Sequence, residues 1–437
     1  MSAFNWNPVY NFVMQIKNQY IEKYKTITYD ICKHTDEHNI TKEVTCLEKW
    51  IIDLDVFKYK NIASLLQFNQ SDTLILIRYG KFSDVFGGES EVTNDTLWEL
   101  HDGIYRECRS IVIDVKNEEI VLCPYKKFHN LNENEENQIE VVIEKIKNCN
   151  SFEITDKLDG SMQSARYYRD QIIMSGSQAI NMKNSWRLQS GYNMLTSQLN
   201  YVKMIKENSD YTFIFEYISL KDAHVVNYKK EDEGLYLIGM RNVYTGEQLS
   251  YNKVKEYAIK YNVKMTPILN KTFEEIMNDT KIYKSHEMEG YVINLDGHLI
   301  KIKIDDYVEM HKVLSAISSI NLIIKHIADN SFDDLLSKVP ESYRWRVMKV
   351  AEIVFQYIKD MDKLVNEYYI KAPKEDRKEF MIWVDQNVPA GLIGYVKNKY
   401  LNKEYNYIKS GNEKSPRYRK LNEMGVVNYN EVFINEV

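Results

Sequence analysis

The chain has 437 residues, 57 basic against 63 acidic for a net charge of −6, and a hydrophobic fraction of 44%. That length suits two to three domains with a sizeable core, and the acidic balance excludes a generic polyanion binder, so any nucleic-acid surface must be local. Five scattered cysteines without a C-x-x-C pair suggest reduced thiols in an intracellular protein; no stretch reaches the ~18 apolar residues of a membrane span, and the N-terminus lacks a secretory pattern.

In chain order, Tyr10, Val13, Met14, Ile16 and Ile21 fall at helical spacing and predict a helix over 9–23. Cys32, His34, His38 and Cys46 then cluster in a polar segment; their spacing fits no standard zinc finger, which favours ordinary loop residues over a metal site. From Thr73 the pattern turns strand-rich, with Leu74–Ile77 as a strand. Gly87-Gly88 opens a loop without the Lys-Ser/Thr of a phosphate loop, so no nucleotide role is assigned to it. Strands follow at 110–114 and 120–123 around a turn at Lys116-Asn117, the acidic run 132–138 reads as a solvated loop, and 139–148 reads as a helix.

Phe152 and Ile154 alternate with Glu153 and Thr155, the pattern of a half-buried strand, and Lys157 stands at its exit before Asp159-Gly160. Most Lys-x-Asp-Gly strings are surface turns. A lysine so placed can also be a covalent nucleophile when its neighbours keep part of it neutral, because only the free amine attacks phosphorus. Downstream, 165–168 and 172–175 predict a hairpin around Arg169-Asp170, 182–201 a helix, and 211–217 and 234–239 strands. Helices at 249–261 and 272–279 precede a hairpin of 290–294 and 299–304, turned by Asp296-Gly297. Past Tyr307 strand patterns nearly vanish, and Val347, Val350, Val354, Ile358, Met361, Val365 and Tyr368 predict one long helix over 341–369. The boundary is placed near 306, giving an α+β domain over 1–305 and an all-helical one over 306–437.

A period of two sets Lys301 and Lys303 on one face of their strand, with Ile300, Ile302 and Ile304 toward the core. Such a pair either marks a solvated edge or holds an anion. Glu289 and Glu216 offer carboxylates, and Arg109 and Lys127 extend the positive set. With Lys157 these residues suit a site that handles a triphosphate and a divalent metal. Nearby positive charge would disfavour the ammonium form of the lysine.

Four of these strings resemble motifs I, III, IV and V of covalent nucleotidyltransferases: Lys157-Leu-Asp-Gly160, Phe215-Glu216-Tyr217, Glu289-Gly290-Tyr291-Val292 and Lys301-Ile302-Lys303. Gly239-Met-Arg-Asn-Val-Tyr-Thr-Gly246 is similar to the motif IIIa region. Arg106-Glu-Cys-Arg-Ser-Ile-Val112 and Pro124-Tyr-Lys-Lys-Phe-His-Asn-Leu-Asn-Glu133 resemble the E-x-R-G-I and E-K-F-F-N-L-N-E segments of the RNA ligase 1 family. The likeness covers roughly residues 70–310. It implies an ATP-grasp-like ligase domain of antiparallel sheets with flanking helices, ATP as AMP donor, and Mg2+ or Mn2+. It makes Lys157 the adenylated nucleophile and puts Arg109, Lys127, Asp159, Gly160, Glu216, Lys301, Lys303 and Tyr307 around the nucleotide, with Glu216 and Glu289 on metal. There are departures: Ser110 replaces the glycine after Arg109, His129 the second phenylalanine and Leu158 a common glutamate, and Met174-Ser175-Gly176-Ser177 lacks a lysine expected before the Gly-Ser pair.

No oligonucleotide-binding barrel is apparent after motif V, which counts against DNA ligases and mRNA capping enzymes. The tail from Lys397 to Lys420 holds eight basic residues against two acidic, with Tyr400, Tyr405, Tyr407 and Tyr418 interleaved. That mix suits phosphate contact and base stacking, so Lys397, Lys399, Lys403, Lys409, Arg417 and Arg419 are the expected RNA contacts. The reading is an ATP-dependent RNA ligase of RNA or tRNA repair, in the cytoplasm (a host's if viral), with a kinase-phosphatase as a conceivable partner and no membrane. The alternatives are a non-catalytic RNA-binding protein on the same fold and a capping-type nucleotidyltransferase.

Overall fold

The computed structural model describes residues 3–35, 39–80, 94–222, 225–318, 320–339, 341–412 and 415–425. The chain divides into two compact units, Met1–Tyr307 and Val308–Val437. The first opens with the helix Pro8–Tyr24. Asn7 starts it by accepting hydrogen bonds from the N–H groups of Val9 and Tyr10, and Pro8 fills the first turn. Val9, Phe12, Val13 and Ile16 pack in one core with the helices Cys46–Leu54 and Phe57–Ser64 and with an antiparallel sheet. That sheet has the order Leu66–Ser71, Leu74–Tyr79, Arg109–Asp114, Glu119–Leu122.

A second sheet runs in the order Gly234–Asn242, Tyr211–Ile218, Ser161–Tyr168, Gln171–Gly176. A third runs His298–Lys303, Gly290–Leu295, Phe152–Asp156. All neighbours in both are antiparallel. Tyr125, Ile214, Tyr251, Val292 and Leu299 join the two sheets in one apolar cluster. Both predicted hairpin turns carry paired positive φ, 47° and 64° at Arg169-Asp170 and 49° and 94° at Asp296-Gly297, the twist that two-residue loops favour.

Gly290 takes φ +146°, and a Cβ there would lie 2.1 Å from the Ile302 carbonyl oxygen. We expect Gly290→Ala to cost about 3 kcal/mol or more, because backbone must move. Gly297→Ala, also at positive φ but with open space around it, should cost about 1 kcal/mol. Denaturant midpoints of the two variants check the difference.

Three expectations need correction. The Phe152–Asp156 strand is covered on both faces: Glu153 and Thr155 are as buried as Ile154. Glu153 tolerates this because its oxygens accept the N–H groups of Tyr251 and Asn252, at the start of the helix Tyr251–Tyr261, and the amide of Asn294. The helix predicted over 182–201 is two, Trp186–Ser197 and Leu199–Glu207, because Gln198 is extended; the break turns Tyr201, Met204 and Ile205 into the same core as Leu188 and Leu195. The run 132–138 is not a solvated loop, since Asn134 and Asn137 are buried around a short 3-10 turn.

The second unit contains the helices Ile320–Ala328, Phe332–Lys338, Glu341–Lys371, Arg377–Asn387 and Ala390–Tyr400. To the helical expectation it adds one hairpin, Lys409–Asn412 with Ser415–Tyr418, whose strands are too short to show alternation. No closed barrel is present among the described residues, and none of their helices is long and apolar enough to cross a membrane. Gly87-Gly88 and His38 lie outside the described residues. Of the other candidate zinc ligands, Cys32 and His34 sit on the strand Cys32–Thr35 and Cys46 is buried at a helix start.

Candidate active site

Lys157 follows directly on the Phe152–Asp156 strand, and its N–H donates to the Gly290 carbonyl at 2.9 Å. The sheet therefore sets its backbone rigidly. Its Nζ lies 2.5 Å from Glu289 Oε2, and Lys303 Nζ lies 2.9 Å from Glu289 Oε1. Glu289 is 3% exposed. Burial pushes its pKa up, but Lys157 and Lys303 more than reverse this and hold it below the ordinary glutamate value. The free site thus pairs the lysine amine with a carboxylate, rather than only with the cations the sequence suggested.

A cavity of about 210 Å³ opens beside this pair, between the second and third sheets. Arg109, Lys157, Glu216, Lys301 and Lys303 supply its charged lining; Tyr125, Phe128, Met162, Ile238, Tyr251 and Val292 supply apolar surface. The Arg109 guanidinium carbon lies 4.7 Å and Lys301 Nζ 4.5 Å from the centroid of the Phe128 ring, so one aromatic ring holds two cations close together. Burial, then Arg109, Lys127 and Lys157, push the pKa of Lys301 far down. Such a cluster gains strongly from an anion.

Burial, reinforced by Glu289 and Asp159 against Lys157 and Arg109, lifts the Glu216 pKa from 4.5 to about 7. Burial and Glu289 lift Asp156 to about 6. Folded Glu216 holds its proton more tightly than the unfolded chain does, so its contribution to stability is complete below 4.5 and is lost as pH rises through about 7. We expect Glu216→Gln to flatten that decline, as read by urea midpoints between pH 5 and 8.

Asp159 does not face the cavity. Its carboxylate accepts the N–H groups of Val225 and Val226 and the hydroxyl of Tyr307 at 3.0 Å, so it clamps the turn after the lysine. Gly160 is there for close approach, since a Cβ would lie 2.7 Å from the Tyr217 carbonyl oxygen. Tyr307 also carries Lys303 Nζ 5.0 Å from its ring centroid. Lys127 lies outside the cavity lining, over Trp98 and 3.6 Å from Glu133.

Sequence reasoning missed Asp156, Tyr125 and Tyr251. Asp156 adjoins Lys157 and was findable; Tyr125 and Tyr251 reach the cavity only through tertiary packing. The departures have local accounts. Ser110 adopts φ +68°, a glycine-like conformation, and its hydroxyl donates to the Ser177 carbonyl at 2.6 Å. His129 is buried against Trp98, and burial followed by Lys127 lowers its pKa to about 4. Ser175, where a lysine was expected, is buried.

No group of three or more His, Cys, Asp or Glu that could hold a metal occurs among the described residues. Both oxygens of Glu289 are engaged, so a divalent ion reaching it must displace a lysine.

In the second unit the candidate RNA contacts are largely paired. Lys397 meets Asp385 at 2.6 Å, Lys409 meets Asp329 at 2.5 Å and Arg417 meets Glu423 at 2.9 Å. Arg419 donates to the Tyr407 carbonyl, Lys399 lies over Tyr369, and Lys403 is exposed. Tyr400 stacks on Phe380 at 4.0 Å, and Tyr405 and Tyr407 pack against Tyr395, so these rings serve the helical core.

Residues 107–312 match the family model described as RNA ligase. This segment belongs to the RNA ligase family. A Thermovibrio ammonificans protein with a provisional RNA ligase assignment is 24% identical over 287 residues, 62% of this chain and 72% of that protein. Among solved structures, a substituted Naegleria gruberi RNA ligase with ATP and Mn matches with TM-score 0.33 and 19% identity, over 40% of this chain and 56% of that one. A provisionally assigned ATP-dependent DNA ligase from Aquifex aeolicus matches with TM-score 0.40 and 14% identity, over 80% of this chain and 78% of that one. The RNA ligase segment contains every element that lines the Lys157 cavity.

Proposed function

We propose that this chain is an ATP-dependent RNA ligase that joins a 5′-phosphate to a 3′-hydroxyl through a lysyl-AMP and an RNA-adenylate. The observation that carries the reading is Lys157, fixed at a strand exit, paired with Glu289 and opening on a cavity walled by Arg109, Lys301 and Lys303. In the first step Lys157 gives its proton to solvent and its free amine forms a bond to the α-phosphorus of ATP as the bond from that phosphorus to the bridging oxygen breaks and pyrophosphate leaves. The purine and ribose occupy the apolar part of the cavity. Lys301, Lys303 and Arg109 stabilise charge that grows on the phosphates. Glu216 and Glu289 would hold a divalent ion, Mg2+ or Mn2+, that neutralises phosphate charge; the raised pKa of Glu216 fits this, since a buried carboxylate gains most from a cation.

AMP then passes to the RNA 5′-phosphate, and attack by the 3′-hydroxyl seals the strand and releases AMP. Lys127 contacts phosphate at the incoming RNA end, and the basic residues of the second unit, from Lys397 to Arg419, contact RNA. Repair of RNA, including tRNA, in the cytoplasm, after a kinase-phosphatase has prepared the ends, is the setting we favour.

The test is incubation with α-labelled ATP and magnesium followed by denaturing electrophoresis. Label should attach to the wild type, survive base, be lost in acid and be absent from Lys157→Ala. No label on wild-type protein free of prebound AMP sinks the proposal, and label from GTP in place of ATP would turn it toward capping.

A further inference from the structure

We propose that a second cavity, behind the Phe128 ring, binds a phosphate of the RNA strand that supplies the 3′-hydroxyl; this rests on the ligase reading above. The cavity measures about 360 Å³, and Phe128 lines both it and the Lys157 cavity. The His298–Lys303 strand also joins them: His298 and Leu299 line the second cavity, Lys301 and Lys303 the first. From His298 to Lys301 the strand advances about 10 Å. One bound strand can therefore reach both.

The wall of this cavity carries Arg106, Lys126, Lys127 and Arg241 against Glu136 and Asp296. These cations are unequally committed. Arg241 makes two short hydrogen bonds to buried Glu107, at 2.8 and 2.9 Å. Lys126 reaches Glu107 only at 3.5 Å, and Lys127 reaches Glu133 only at 3.6 Å.

Polar atoms beneath this wall are also short of partners. Arg106 Nε, His129 Nε2 and Asn137 Nδ2, all on residues that line the cavity, are buried without a partner. Each is a donor. His129 Nδ1 faces the Asn134 amide nitrogen at 3.5 Å, which leaves the ring proton on Nε2; Asn137 Oδ1 faces His298 Nε2 at 2.7 Å, which leaves its amide N–H groups over. The three atoms lie beneath the wall, and Arg106 itself meets Glu99 at 2.5 Å and Glu136 at 3.2 Å, so Lys126 and Lys127 carry the loosely paired charge of the wall. Ordered water could satisfy donors, but it would not neutralise two loosely paired lysines. A phosphate at the cavity surface does that, because its charge and its acceptor oxygens suit both ammonium groups. The Lys157 cavity already has Arg109, Lys301 and Lys303 for the phosphates of ATP, so the second set is surplus to the first step.

Lys126→Glu tests this, because the Lys126 side chain is 59% exposed and the fold does not depend on it. Two reactions are compared: lysyl-AMP formation from ATP, and ATP-free sealing of a 5′-adenylylated oligoribonucleotide to a short 3′-hydroxyl oligoribonucleotide. We expect the first to change by less than about twofold. In the second, KM for the 3′-hydroxyl strand should rise about tenfold, and the slope of log affinity against log salt should fall by about one. A 3′-hydroxyl strand with an uncharged methylphosphonate at its terminal linkage should lose about the same factor on wild type and little more on Lys126→Glu. An unchanged KM overturns the proposal, as does an undiminished penalty for the neutral linkage on the variant. A slowed first step overturns it too, because it assigns the cavity to the phosphates of ATP. Failure of the wild type to form lysyl-AMP would remove the ligase reading and this proposal with it.

Discussion

Glu289→Ala is expected to abolish measurable lysyl-AMP formation and to destabilise the first unit. The carboxylate is 3% exposed and is the anion that both Lys157 and Lys303 contact, at 2.5 and 2.9 Å. Removing it leaves two half-buried ammonium groups facing each other without their counterion, a loss of about 3–5 kcal/mol when one partner of a buried pair is deleted. The chemical loss should be larger in kind. Glu289 Oε2 holds the Lys157 amine beside the cavity, and with its loss one of the two carboxylates proposed for the metal is gone, so a fall of at least about 100-fold in the adenylylation rate is expected. Glu289→Gln separates the effects: it keeps the volume and one acceptor, so it should recover much of the stability and little of the rate. Single-turnover adenylylation with urea midpoints on both variants decides this, and full activity in Glu289→Gln would sink the assigned role.

Lys301→Met should move the same two quantities in opposite directions. Lys301 is desolvated, and Arg109, Lys127 and Lys157 all add to the penalty on its charge. A methionine of similar length keeps the packing against Phe128 and removes that penalty, so stability should rise by about 1 kcal/mol. On the proposed function the cation is tolerated because the site binds the phosphates of ATP. Removing it should cost about 10²–10³-fold in lysyl-AMP formation, the scale of losing one preorganised charge at a reacting centre. Loss of stability with unchanged rate would make Lys301 structural. The pairing of gain and loss in one variant is what a binding cation predicts.

Much of this site was legible along the chain. Lys157, Glu216, Glu289, Lys301 and Lys303 were found because each sits at a strand end or on one strand face, where a period of two and Gly or Asp-Gly punctuation fix side-chain direction locally. Both hairpins, the long helix Glu341–Lys371 and the absence of a closed barrel among the described residues followed from the same local patterns. Tertiary structure decided what those patterns do not encode. Glu153 looked solvent-facing but is buried, because a helix start 98 residues away presents N–H groups to it. Asp159, adjacent to the lysine in sequence, turns from the cavity to hold Val225, Val226 and Tyr307. Tyr400, Tyr405 and Tyr407 resembled a stacking surface until the helical core claimed their rings. Local spacing dictates which way a side chain leaves its own strand or helix; its partner, and hence its charge state and role, depends on residues far along the chain that only folding brings within a few ångströms.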